Sequence, residues 1–116
     1  MPTSITYNPR CSKCRQTLEL LRQRGIEPEL LLYLEEPLTK RELTHTIQKL
    51  KVDPRVLVRF NEPLARELGL SPVDERSRSA WIDLLTKNPA LIERPIVIRG
   101  ERAVLGRPPE NVLGLL

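Results

Sequence analysis

Residues 3–34 read TSITYNPRCSKCRQTLELLRQRGIEPELLLYL, and this stretch decides the fold. Thr3 to Tyr7 alternates β-branched and polar side chains, and Asn8-Pro9 breaks the run, so a short strand is expected to feed a turn. From Ser12 onward Cys14, Leu18 and Leu21 recur at helical spacing, with Arg15, Glu19, Arg22 and Gln23 between them and Gly25 as a natural stop. The spacing predicts one helix of about three turns. Glu29 to Leu34 is a continuous apolar run closed by Glu35-Glu36-Pro37, the pattern of a strand buried on both faces. Strand, helix and strand within roughly thirty residues make a βαβ unit, with parallel strands and a right-handed crossover.

Beyond Pro37 the character changes. Thr39 and Glu42 form a capping box ahead of Leu43, Ile47 and Leu50, which predicts an amphipathic helix. Pro54, Pro63 and Pro72 are expected to chop the following chain into short helical pieces. A further helix, Ser77 to Lys87, turns Trp81, Leu84 and Leu85 inward and stops at Asn88-Pro89. Residues 37–92 therefore read as a helical insertion. Strands return at Pro95 to Arg99 and Arg102 to Leu105, and Gly100-Glu101 between them signals a type II′ hairpin. Pro108-Pro109 precede a last helix with Val112, Leu113 and Leu116 apolar. The expected architecture is α/β: a mixed sheet from the βαβ unit and the hairpin, a C-terminal helix, and the insertion, all within one domain.

Composition narrows the function. With 116 residues, 40% hydrophobic and 29% charged, the chain suits one globular domain. MPTSITYNPR lacks the features of a secretory signal and no long apolar span follows, so the cytoplasm is the expected address and no membrane partner is expected. A net charge of +4 suits an anion or nucleic-acid partner, but the aromatics Tyr7, Tyr33, Phe60 and Trp81 are scattered, which leaves no stacking platform and disfavours nucleic acid. Cys11, Cys14 and His45 fall short of a closed zinc set, so no metal is expected. In a reducing compartment, two cysteines at this spacing point instead to redox chemistry.

The segment from Asn8 to Arg15 places Cys11 where a strand hands over to a helix. Unpaired amides of the first turn and the positive helix end favour a thiolate there, and Arg10, Lys13 and Arg15 add positive charge. The same amides offer a cradle for an oxyanion. Cys14 has two open readings: a partner thiol one turn on, or a small apolar residue on the inward face with Leu18 and Leu21. A guanidinium grips a tetrahedral oxyanion bidentately. Most arginines have an ordinary surface reading, whereas Arg59 amid Val56, Leu57, Val58 and Phe60, Arg94 before Pro95, and Arg107 between Gly106 and Pro108 do not.

These residues together resemble the small arsenate reductases of the ArsC type, which use glutathione and glutaredoxin. The likeness runs through Asn8-Pro9-x-Cys11, Leu57-Val58-Arg59, Asn88-Pro89-x-Leu91-Ile92-x-Arg94-Pro95-Ile96 and Gly106-Arg107-Pro108-Pro109-Glu110. It implies a thioredoxin-like sheet, a nucleophile at Cys11, an oxyanion-binding triad of Arg59, Arg94 and Arg107, and a cis bond before Pro95. The implied chemistry is attack of Cys11 on arsenate to form a covalent adduct, followed by thiol exchange with glutathione as co-substrate and glutaredoxin or thioredoxin as partner, without a bound cofactor. The chain departs from the family pattern at Tyr7, where histidine is frequent, and at Cys14, where serine is common; the second departure implies a possible internal disulfide. Two other functions compete. Spx-type regulators of RNA polymerase share the fold and a C-x-x-C switch, although the Gly106–Glu110 segment argues against that reading. A thiol oxidoreductase acting on another oxyanion or on a protein disulfide is the other.

Overall fold

The strand expected at the start of the chain forms as β1, Thr3–Thr6, and the expected helix follows as α1, Ser12–Gln23. The computed structural model describes residues 1–116. By its internal contacts the chain divides into a sheet unit, Met1–Pro37 with Arg94–Leu116, and a helical unit, Leu38–Glu93.

In the sheet unit, α1 ends as its sequence dictates. Gly25 takes a positive φ of 75°, Gly25 N–H donates to Arg22 O, and Ile26 N–H donates to Leu21 O, which together make a Schellman stop. The chain then enters β2, Glu29–Leu31, which pairs with β1 in parallel with Ile5 opposite Leu30. β3, Ile96–Arg99, and β4, Arg102–Leu105, form a hairpin across Gly100 (φ 61°) and Glu101. β3 also runs antiparallel to β1, so the strand order is β2-β1-β3-β4. Ile5, Leu18, Leu21, Val97, Val112 and Leu115 close into one apolar cluster between sheet, α1 and the C-terminal segment. Burying each such side chain contributes about 1.5–3 kcal/mol, which fixes α1 against the sheet.

Two expectations for this unit need correction. The run from Glu29 to Leu34 is not a strand buried on both faces. It yields only a three-residue edge strand, with Leu30, Leu32 and Leu34 exposed and Tyr33 buried. A central strand would bury both faces, but β2 has a neighbour on one side alone and ends at Leu31, so Leu30 stays wet at the edge and Leu32 and Leu34 in the turn region beyond it. The last helix is a 3-10 segment, Pro109–Leu115, and it buries Val112 and Leu115 while Leu116 is exposed. At three residues per turn, 112 and 115 share a face, whereas an α-helical reading selects 116.

In the helical unit, α2 spans Lys40–Leu50 and carries both halves of its capping box: Glu42 N–H donates to Thr39 Oγ1 at 3.1 Å, and Thr39 N–H donates to Glu42 Oε1 at 2.9 Å. Leu43 and Ile47 are buried, but Leu50 is only half-buried. Pro54 opens a 3-10 turn to Leu57, and Pro63 opens α3, Pro63–Glu67, whereas Pro72 lies in a turn with no helix of its own. α4, Arg78–Lys87, is capped by Ser77 and packs on α2. It buries Trp81, Ile82 and Leu85, and Leu84 is half-buried. Phe60 meets Trp81 edge to face at 6.1 Å.

Candidate active site

The sheet unit assembles the site from the ends of β1, β3 and β4. Strand β1 stops at Thr6, and Asn8 then turns the chain: its carbonyl accepts from Cys11 N–H at 2.9 Å and its side-chain oxygen from Arg10 N–H at 3.0 Å. That turn puts Cys11 at the N-cap of α1 in an extended conformation, with no side-chain cap bond. Its sulfur sits at the positive end of the helix, where the Cys14 backbone N–H favours its charged form.

The hairpin register supplies the arginines. Counting on from Ile96 opposite Leu105 brings Pro95 opposite Gly106, where Gly106 N–H donates to Pro95 O at 2.8 Å, and then Arg94 opposite Arg107. Arg107 donates from Nε to Arg94 O at 2.6 Å and from Nη2 to Cys11 Sγ at 3.7 Å. Asn111 Nδ2 holds the Arg107 carbonyl at 3.0 Å. The peptide bonds Arg94–Pro95 and Arg107–Pro108 are both cis. Gly106 is the residue this packing requires: a Cβ there would lie 2.8 Å from Thr17 Oγ1 and 2.9 Å from Pro95 Cγ. Thr6 joins the sheet to the site, since its Oγ1 accepts from Ile96 N–H at 2.8 Å and its carbonyl accepts from Cys14 Sγ at 3.9 Å.

The two cysteines differ sharply in ionisation. Burial works to raise the Cys11 thiol, but the Cys14 backbone N–H, the Arg94 side chain and the Cys14 thiol outweigh it and bring it down to about 7. These leading causes are not the neighbouring cations Arg10, Lys13 and Arg15 that the sequence suggests; Arg15, for one, donates to Pro9 O at 2.8 Å. Cys14 is fully buried, and burial pushes its thiol up to about 12, with the nearby Cys11 acting in the same direction. One sulfur is thus divided between thiol and thiolate near neutral pH while the other stays protonated.

The structure brings Cys11, Cys14, Arg94 and Arg107 together within the sheet unit. Arg59 belongs to the helical unit, where its backbone N–H donates to Leu91 O at 2.8 Å beside a bridge between Val58 and Ile92. Its guanidinium lies 3.3 Å from Glu62 and 3.9 Å from Glu93 and donates to Ala90 O. Thr6, Thr17 and Asn111 escaped the sequence reading, and for the two threonines nothing short of strand and helix packing would have revealed them. A cavity of about 360 Å³ lies outside the carboxyl ends of β1 and β2, lined by Tyr7, Asn8, Arg10, Leu32, Leu34 and Glu35 among others. No group of three or more His, Cys, Asp or Glu side chains is placed to hold a metal ion, and no helix is long and apolar enough to cross a membrane.

A parallel pair and an antiparallel hairpin in one sheet, a cysteine capping the first helix and a cis proline at the start of β3 define a thioredoxin-like protein. Residues 6–115 match the ArsC family, and the chain belongs to it. It is 44% identical over 113 residues to a protein of Escherichia coli K12 described as uncharacterized protein YfgD, covering 97% of this chain and 94% of that one. It is 42% identical over 117 residues, the full length of both, to a protein of Haemophilus influenzae named arsenate reductase. Among solved structures, an arsenate reductase from Vibrio cholerae superposes with a TM-score of 0.94 at 41% identity, covering 100% of this chain and 98% of that one.

Proposed function

We propose that this protein is an arsenate reductase that works through a covalent adduct on Cys11. Arsenate docks against Arg94 and Arg107, and the Cys11 thiolate attacks arsenic while an oxygen leaves as water. The guanidiniums stabilise the negative charge carried by the oxyanion as the sulfur–arsenic bond forms. Arg59 is proposed as a third oxyanion ligand on the strength of the segment Leu57-Val58-Arg59, by family likeness. Glutathione then takes the adduct as co-substrate, arsenite leaves, and glutaredoxin resets Cys11 by thiol–disulfide exchange in the reducing cytoplasm. No resident cofactor is needed in this scheme. The cavity beyond β1 and β2 suits a small peptide thiol, because it sets the cation of Arg10 and the anion of Glu35 around apolar Leu32 and Leu34.

The observation that carries this reading is the Arg107 guanidinium donating to the sulfur of a thiol whose pKa is lowered to about 7. The experiment is a coupled assay with arsenate, glutathione, glutaredoxin and NADPH. Wild type should consume NADPH in proportion to arsenate and release arsenite, and Cys11→Ser should release none. Arsenite formation by Cys11→Ser at the wild-type rate would end the proposal.

A further inference from the structure

Cys14 does more than fill space beneath the site. Leu18 and Leu21, which follow it on the same helix face, belong to the apolar cluster of the sheet unit, but Cys14 does not. Its thiol instead reaches Thr6 O at 3.9 Å and shares a side-chain hydrogen bond with Cys11. It is also fully screened from solvent, whereas Cys11 keeps 6% exposure. Two sulfurs one helical turn apart, one buried but still reached by solvent and its neighbour sealed off, form an ordered pair: reagents meet the first, and only the first meets the second.

From this arrangement we infer that Cys14, in place of glutathione at that step of the scheme above, is the resolving thiol, attacking the Cys11 sulfur of the arsenic adduct and closing a Cys11–Cys14 disulfide. The inference rests on Cys11 being the nucleophile. In this step the sulfur–sulfur bond forms, the sulfur–arsenic bond breaks, and its electron pair stays on arsenic, which leaves as arsenite. Cys14 gives up its proton, the two thiols supply both electrons, and arsenate is the oxidant. A dithiol protein can then return the pair to the reduced form by exchange.

The electrostatics give the steps their order. Burial is the leading reason that Cys14 resists ionisation, but the next opposing influences on it both come from Cys11. Once Cys11 is bonded to arsenic its sulfur is no longer a thiolate, so the repulsion from that sulfur is removed, while the Asn8 backbone and the Arg94 guanidinium continue to favour a Cys14 thiolate. Adduct formation therefore removes one of the two causes that hold Cys14 protonated, and burial remains the other.

The test uses fully reduced full-length protein freed of small thiols. With arsenate alone, wild type should release one arsenite per chain and lose two hydrogen masses as an internal disulfide, and Cys14→Ser and Cys14→Ala should release none. If wild type releases no arsenite without glutathione yet turns over with it, the resolving role is overturned and the arsenate reductase reading survives. A second arm reads the thiol pair without arsenic. Treated with oxidised glutathione, wild type should collapse to the internal disulfide and Cys14→Ser should stop at the glutathione adduct. A glutathione adduct that accumulates on wild type overturns the role whatever arsenate does.

Discussion

In the helical unit two arginines lie against carboxylates: Arg55 on Asp53 at 3.1 Å and Arg76 on Asp74 at 2.8 Å. Around Cys11 in the sheet unit, Arg107 instead donates to a backbone carbonyl and a sulfur, and Arg94 donates to the same sulfur. The same side chain does different physical work in the two places. An exposed ion pair contributes little, because water already solvates both charges. A guanidinium on a buried thiol shifts the balance of its protonation states at neutral pH. Position, and not the number of arginines, separates surface charge from chemistry in this chain.

The largest expected effect follows from removing the guanidinium that touches sulfur. Arg107→Ala should lower kcat/KM for arsenate by about 10²-fold or more, the usual loss when one preplaced oxyanion donor is deleted; steady-state kinetics check it. A loss below twofold would erase the distinction between the two regions. The next effect concerns ionisation. Alkylation of Cys11 by iodoacetamide should rise with pH to a midpoint near 7, below the ordinary thiol value of about 8.5. The sign is fixed by the lowered pKa: the reactive thiolate fades as pH falls through 7, and Arg94→Ala, which removes one cause of the lowering, should move the midpoint upward.

A smaller effect tests packing beneath the arginines. Gly106→Ala should destabilise the fold by about 1–3 kcal/mol in chemical denaturation, because the new methyl group meets Thr17 and Pro95 at overlapping distances. The smallest is Asp74→Asn, which breaks the Arg76 pair in the helical unit. It should change stability by less than about 1 kcal/mol and leave arsenate kinetics as they are. A hundredfold kinetic loss from Asp74→Asn would show that the Arg76–Asp74 pair serves the reaction too.

Much of this arrangement is legible in residue order, because the rules involved are local. The Asn8-Pro9 turn, the Gly25 stop, the Thr39–Glu42 box and the Gly100-Glu101 hairpin each depend on a few consecutive residues, and each forms. The features that stay hidden depend on neighbours distant in sequence. Nothing in the run Leu30 to Leu34 tells that Tyr33 is buried while Leu30, Leu32 and Leu34 are exposed, since β2 is an edge strand that stops at Leu31 and the next residues turn away from it. The 3-10 geometry that buries Leu115 in place of Leu116 depends on contacts with α1. For the site, Cys11 is readable as a helix cap, whereas the meeting of Arg94 with Arg107 requires the hairpin register.

The bond from Arg107 Nε to the Arg94 carbonyl carries one more implication. With that nitrogen anchored to the opposite arm of the hairpin, the planar group cannot swing freely, and its outer nitrogens keep a fixed bearing toward the sulfur. Lysine at 107 would have a single nitrogen for both tasks: clasping the two arms would turn it away from the anion, and reaching the anion would release the clasp.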